Sequence, residues 1–380
     1  MEILVLTTYP PRFCGIGTYA HNLVTHLRNL NTIKIQVIAI NDSKNREIHQ
    51  YGEEVQWVMD QSIPSSYLET AKYINYSPYE LLHIQHEFGI FGGVKNFSIL
   101  ELVKALSKPY MVTFHSTPPE PEDWEREILE GLYRRAEKVV VQSRTARRLL
   151  IENYGFSPDK ISCIPHGIPD VELADSESLK RELGLEGKKI ILTFGLLTPR
   201  KGIENVFPAL SILKEEIPNL YYLIMGRPHP RWEITEGKTF SEHLMEKAKE
   251  QNVNSRVIIK SEFLEEGKML KYIQAADIVL TTYSKTARKQ VVSGVLSYAM
   301  GCGKAIISTP YLHAEELLSE GRGILVEFDN ASALAENIKR VLENPQMKRE
   351  SEKRAYNFSR SFRWSVVAED YLRLYQSLIK

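Results

Sequence analysis

Two cations, Arg200 and Lys201, stand directly after the apolar run KIILTFG and directly before the helical pattern GIENVFPALSILKEEI. Cations flanking a helix start near Gly202 would make a phosphate cradle, because the first turn of a helix offers free N–H groups and the positive end of its dipole. The competing account is solvated surface charge, where most Lys and Arg reside. The next apolar run, LYYLIMG, ends in Gly226 and Arg227, with His229 and Arg231 close behind. That adds cations at a second run end. A third candidate is KQVVSGVLSYAMGCGKAIIS, whose only charges are Lys289 and Lys304 and whose residues are mostly small. Its helix is expected to start around Ser293 and Gly294. Small residues there would let a ligand approach closely, and a diphosphate would supply the charge that the stretch lacks. A tight packing helix is the alternative.

The first half of the chain offers different groups. In TTYPPRFCGIGTYAHNL, Gly15 and Gly17 bracket a turn into a helix, which is an anion site by geometry or a glycine turn with no ligand. His86 and His115 close the runs LLHIQH and YMVTFH, where a neutral imidazole can donate to or accept from a polar ligand. A metal bound by His83, His86 and His115 is disfavoured. Residues three apart on a strand point to opposite faces, and no acidic cluster accompanies them. Capping or core histidines are the preferred reading, and no metal site is expected. The segment YRRAEKVVVQSRTARRLL carries Arg134, Arg135, Arg144, Arg147 and Arg148. Solvated helix faces are favoured for it over weak peripheral contact with an anionic membrane surface.

These groups need elements to position them. Short apolar runs alternate with amphipathic ones throughout: EILVLT, IQVIAI, LLHIQH, YMVTFH and KVVVQS, then KIILTFG, LYYLIMG, RVIIK, DIVLTTY, KAIIST and GILVEF. Near-continuous apolar strands separated by helices predict parallel, doubly wound α/β sheets. Ligands of such sheets collect outside the carboxyl ends of the strands. At 380 residues two domains are expected. The alternation pauses in IPHGIPDVELADSESLKRELGLEGKK, which places the interdomain linker near residues 165–187. The final run, FRWSVVAEDYLRLYQSLIK, reads as an amphipathic helix.

Lys and Arg number 48 and so do Asp and Glu, so no global field favours nucleic acid. Cys14, Cys163 and Cys302 lie far apart with no CxxC, which argues against a disulfide framework or a thiolate zinc site. ILVL is too short for a signal peptide, and no stretch approaches the about 18 apolar residues of a membrane span. A cytoplasmic protein is expected, and its oligomeric state is not legible.

Several segments together resemble the retaining glycosyltransferases of family 4, which have the GT-B fold. They are YPP…GIGTY, VTFHS, VVVQSRTARRLL…YG…KI..IPHGIPD, FGLL…KGIENVFPAL, AADIVLTTYS, AMGCGKAIIST and EELLSEGRGILVEFDNASALAENI. The resemblance implies two Rossmann-like domains facing across a cleft. Residues 1–167 would bind the acceptor, 168–360 the donor, and 361–380 would form a helix crossing back to the first domain. It implies a hexosyltransferase of carbohydrate metabolism, with a nucleotide sugar as substrate, a hydroxyl acceptor and no cofactor. By matching position, Gly15 would approach the donor phosphates, His115 the donor sugar near its anomeric centre, and Lys201 the diphosphate. Arg200 would stand in for an arginine whose place is taken by Leu196. Glu316 matches an acid on the helix after the following strand. Gly17, Arg227, Ser293 and Gly294 join the donor site, and His86 the acceptor site.

One departure stands out. The family's two glutamates, one near the donor sugar and one on the ribose, correspond here to Gln290 and Tyr298. The pattern Q..SG.LSYA.G.GK is similar to that of a branch of the family. A charged hydrogen bond contributes about 1.5–3 kcal/mol and a neutral one about 0.5–1.5. Gln290 in place of glutamate would thus cost roughly ten- to thirtyfold in rate, which catalysis survives. Tyr298 cannot accept two ribose hydroxyls as a carboxylate can, and Glu315 or Glu316 would replace it. The rival readings are a sugar-phosphate-using transferase or phosphorylase, a nucleotide-sugar epimerase, and a non-catalytic sugar-binding protein.

Overall fold

The structure is a computed structural model describing residues 1–45, 49–93, 95, 97–228, 238–262, 264–287, 289 and 292–379. Gln290, His229 and Arg231 lie outside the described residues. The chain divides into two compact units, one of Met1–Gly167 with Phe362–Lys380 and one of Ile168–Ser361.

The first unit is built on seven strands: β1 (Glu2–Thr7), β2 (Lys34–Asn41), β3 (Val55–Asp60), β4 (Leu81–His86), β5 (Tyr110–Phe114), β6 (Lys138–Val141) and β7 (Ile161–Cys163). They pair in parallel in the order β3-β2-β1-β4-β5-β6-β7. Strands β4 and β5 are buried along their whole length, which explains why they read as unbroken apolar runs. Helices Gly15–Asn29 and Trp364–Leu378 cover one face together, with Tyr19, Leu23, Trp364, Val367, Tyr371 and Tyr375 in one apolar cluster.

The second unit holds β8 (Lys189–Phe194), β9 (Leu220–Met225), β10 (Val257–Lys260), β11 (Ile278–Thr281), β12 (Ala305–Ser308) and β13 (Ile324–Leu325). Its parallel order is β10-β9-β8-β11-β12-β13. In both sheets the chain first winds one way and then returns to the other side of its first strand. The points where strand order reverses, β1/β4 and β8/β11, are where a doubly wound sheet opens a crevice beyond its strand ends.

The expected linker needs correction. Its second half is a helix, Ser176–Glu182, whose start is capped by Asp175 accepting from the Glu177 and Ser178 amides. Lys180 on that helix is fully buried and ion-pairs with Asp277 and Glu177, each at 2.9 Å. Asp277 in turn accepts from the Ile190 amide at 2.7 Å, so this helix is tied to the second sheet. Among the described residues, no helix is long and apolar enough to cross a membrane.

Candidate active site

In the second unit, β8 ends at Phe194 and the chain turns back through two short 3-10 turns, Pro199–Lys201 and Ile203–Asn205. The α-helix itself starts only at Val206, so the expected helix start at Gly202 is corrected. Pro208 lacks an N–H and is tolerated in the first turn of that later helix. Gly202 is left-handed (φ 61°), and a side chain there would overlap the Thr282 carbonyl beyond β11. Glycine at this place lets the turn settle onto the strand end, and Lys201 is carried inward with it.

The two neighbouring cations differ in placement. Arg200 is exposed, and its backbone carbonyl accepts from the Ser284 amide at 2.9 Å. Lys201 is 8% exposed. Its ammonium donates to the Phe194 carbonyl at 2.8 Å and lies 5.4 Å from the centre of the Tyr283 ring. Among the described residues no carboxylate pairs with it. A buried charge costs free energy unless a partner offsets it, and among the described residues Lys201 has no counter-ion. Arg227, just past β9, is exposed, and its carbonyl accepts from the Leu197 amide at 2.9 Å.

Beyond β11 the helix Gly294–Gly301 begins with Ser293 as its cap. The Ser293 hydroxyl accepts from the Leu296 amide at 3.3 Å, and the Ser293 amide donates to Nδ1 of buried His313 at 2.8 Å. The Tyr283 hydroxyl lies 3.3 Å from the Ser293 hydroxyl. The lysine, the tyrosine ring and the helix start are therefore connected around the β8/β11 reversal. Gly294 is half-buried at that start, where a helix carries N–H groups without intrahelical partners. Tyr298 lies one turn further on, buried, and donates to the Glu266 carboxylate at 2.9 Å. Glu316 is half-buried on the six-residue helix Leu312–Leu317, and Glu315 beside it is exposed.

In the first unit, Gly15 is exposed at the first position of its helix, with nothing near its missing side chain. Gly17 is buried, and a Cβ there would sit 3.3 Å from the Thr8 carbonyl, so it serves helix–loop packing. His83, His86 and His115 do not converge. His83 turns toward the last helix, with Nδ1 2.7 Å from the Tyr375 hydroxyl and Nε2 2.8 Å from the Thr113 hydroxyl. His86 turns the other way, stacked 5.8 Å from Phe91, and both its ring nitrogens are buried without a partner among the described residues. Burial pushes both imidazoles down to about 3, so they are neutral. His86 is fully buried, which is not the exposure of a residue that greets a free acceptor.

His115, just past β5, is 7% exposed. Its Nε2 lies 2.8 Å from the Gln85 side-chain oxygen, and the Tyr19 ring packs edge-on at 4.9 Å. Burial, followed by the neighbouring His166, His83 and His86, holds it well below the usual histidine range. Gln142 faces both Tyr19 and His115, yet neither end of its amide makes a hydrogen bond of good geometry. His166 Nδ1 donates to the Gly167 carbonyl at 2.8 Å, and burial pushes its pKa down to about 4.

The basic segment resolves into separate roles. Arg135 caps the carbonyls of Val103, Lys104 and Leu106, while Arg134 and Arg148 pair with Glu130 and Glu152 on their own helices. Gln85, Tyr283, His313 and Glu266 were not anticipated. Gln85 had a signal, since residues two apart share a strand face and it lies two from His83. Glu266 had none, because it comes from a helix start far along the chain.

The chain thus folds as two doubly wound units, one with a buried lysine that has no acidic partner among the described residues and one with neutral histidines at its strand ends. Residues 13–172 match the family Glycosyltransferase Family 4, and residues 175–358 match Glycosyl transferases group 1. Together these span nearly the whole chain, which belongs to the family 4 glycosyltransferases of GT-B fold.

The chain is 24% identical to an uncharacterized glycosyltransferase of Methanocaldococcus jannaschii, over 67% of this chain and 62% of that protein. It is also 24% identical to phosphatidyl-myo-inositol mannosyltransferase of Mycolicibacterium smegmatis, over 83% and 75% respectively. Among solved structures, HepE of Anabaena in complex with UDP and glucose superposes with a TM-score of 0.77 at 16% identity, covering 99% of this chain and 100% of that one. Sucrose-phosphate synthase of Thermosynechococcus elongatus gives 0.77 at 18% identity, covering 100% and 99%. At these identities the likeness to the solved structures is one of fold.

Proposed function

We propose that the protein is a retaining hexosyltransferase that moves a sugar from a nucleoside-diphosphate donor to a hydroxyl acceptor, without a divalent metal or other cofactor, in the cytoplasm. The observation that carries this reading is Lys201, a buried cation with no acidic partner among the described residues, at the β8/β11 reversal. A donor diphosphate is the counter-ion it lacks. The structure of HepE contains UDP and glucose, which supports a donor of this class.

In the reaction the bond between the sugar anomeric carbon and the diphosphate oxygen breaks, and a bond from the acceptor oxygen to the same carbon forms on the same face. The acceptor proton passes to the departing phosphate oxygen. Lys201, with Arg200 at the rim and the helix start at Ser293–Gly294, would stabilise the charge that grows on the diphosphate. Gly15 would approach the phosphates from the first unit, and His115 would meet the sugar as a neutral hydrogen-bonding group. Arg227 and Glu316 complete the donor set, and Gln290 takes the glutamate's place on the sugar.

The ribose is read differently from the expectation that Glu315 or Glu316 replaces the missing acid. Tyr298 donates to Glu266, so a carboxylate stands beside the place of the missing acid, and this carboxylate would read the ribose. His86, fully buried, would support the acceptor region as packing.

Mass-spectrometric turnover of a panel of UDP-, GDP- and ADP-sugars, with and without EDTA, tests the reading. Hydrolysis or transfer of one donor, undiminished by EDTA, is expected. Turnover of sugar 1-phosphates with no nucleotide sugar consumed would overturn it, as would strict dependence on magnesium or manganese.

A further inference from the structure

The amide of Gln85 bridges two imidazoles. Its oxygen lies 2.8 Å from His115 Nε2, and its nitrogen lies 3.1 Å from His83 Nε2. An amide has one end that only accepts and one that only donates. His115 must therefore carry its proton on Nε2, and His83 must leave its own Nε2 bare. Both rings are buried and held neutral, so each has a single proton to place. The His83 proton then resides on Nδ1, 2.7 Å from the Tyr375 hydroxyl, which accepts it. Thr113 can turn its hydroxyl proton to the bare His83 Nε2 at 2.8 Å and accept from Tyr371 at 3.2 Å. Tyr371 then accepts from Tyr19 at 2.9 Å. The one lone pair of His83 Nε2 is thereby shared between the Gln85 amide and the Thr113 hydroxyl.

We propose that Gln85 is a positioning residue that forces His83 and His115 into opposite tautomers, with the last helix anchoring the relay through Tyr375, so that His115 presents an unprotonated Nδ1. This deepens the reading of His115 as a group that meets substrate, and it rests on that reading for its catalytic consequence. An Nδ1 lone pair accepts a hydrogen bond from a sugar hydroxyl. The other tautomer would offer a donor there and repel the same hydroxyl proton. Helix Trp364–Leu378 thereby acts on chemistry at the end of β5 without touching it.

The device is tested by histidine-detected nitrogen–proton NMR on the full-length protein labelled at histidine. The expected result is His115 protonated at Nε2 and His83 at Nδ1. Both rings in the same tautomer, or the reverse pair, overturns the assignment. Gln85→Leu should release His115 to a mixture of tautomers and lower kcat for UDP-glucose by about tenfold with KM little changed. Gln85→Glu accepts from both rings. It should keep His115 protonated at Nε2, move His83 to the same tautomer, and restore most of kcat. A Gln85→Leu protein whose His115 tautomer is unchanged refutes the proposal. His115→Ala with undiminished UDP-glucose turnover would instead refute the substrate-contact reading, and the wild-type NMR assignment would still decide the tautomer device.

Discussion

Replacing Lys201 by methionine separates a binding lysine from a structural one, because the two roles predict opposite changes. In the free protein the ammonium is 8% exposed, holds one carbonyl at 2.8 Å, and has no acid beside it among the described residues. Methionine keeps the chain length and can lie against the Tyr283 ring, which thioethers favour. The lost hydrogen bond is worth about 1 kcal/mol, and relief from burying an unpaired charge offsets it. The free variant should therefore melt within a few degrees of wild type. Binding is different. A charge-assisted contact to a diphosphate contributes about 1.5–3 kcal/mol, so UDP affinity should fall by about 10- to 150-fold. At UDP one hundred times the wild-type Kd, wild type gains about 2.7 kcal/mol of stability, whereas a hundredfold-weaker variant gains about 0.4. Calorimetric titration with UDP and thermal melts with and without UDP measure both. A folded Lys201→Met that binds UDP within twofold of wild type removes Lys201 from the site.

Three further outcomes follow from the packing. Lys304, hydrogen-bonded to the Gln274 carbonyl at 2.8 Å and held down to about 8 by burial, binds fewer protons folded than unfolded. Its penalty, about 3 kcal/mol, is thus full below pH 8 and fades as pH rises toward 10.5, and urea midpoints of Lys304→Met should lose that rise relative to wild type. Gly167→Ala should cost about 1–3 kcal/mol, since a methyl there overlaps the buried Trp364 ring; an unchanged denaturation midpoint would contradict this. Gly294→Val, at the helix start after Ser293, should block UDP binding while circular dichroism stays native, and normal UDP binding would make this stretch a packing helix only.

Strands buried on both faces were legible because burial imposes an apolar residue at nearly every position. β3 and β7 were not read, and both lie at sheet edges. β3, VQWVMD, alternates between part-exposed and exposed residues up to Val58 and buries only Met59, and β7 has only three residues. An edge strand is held by pairing on one side and needs no apolar run. The helix Ser176–Glu182 was hidden for a related reason: its anchor is Lys180, whose charge reads as surface until Asp277 is brought beside it. Lys201 was legible as a candidate from its place after a strand, but its burial depends on the Gly202 turn seating against Thr282, far along the chain. The opposed directions of His83 and His86 could be read from strand geometry. The bridge from His83 to His115 could not, because β4 and β5 must first be laid side by side.

Several of the polar groups each unit buries lie at or just past the carboxyl ends of its strands. In the first they include Thr8, His86, His115, Thr117 and Gln142, and in the second Thr282, Ser293, Thr309 and His313. Within a parallel strand the backbone groups are taken up by neighbours, so a buried polar side chain there needs another side chain as partner, as His83, Gln85 and Thr113 find in one another and in Tyr371 and Tyr375. At the carboxyl ends the ladders stop, loops diverge, and unpaired amides and carbonyls become available. A fold of this kind can hold polar side chains in that layer at the least cost to stability. Among the described residues some of them, such as His86 and Gln142, have no good partner, and Lys201 has no counter-ion. Part of the uncompensated free energy thus lies where a ligand can offset it, which is why ligand binding should stabilise this protein more than the contact surface alone would suggest.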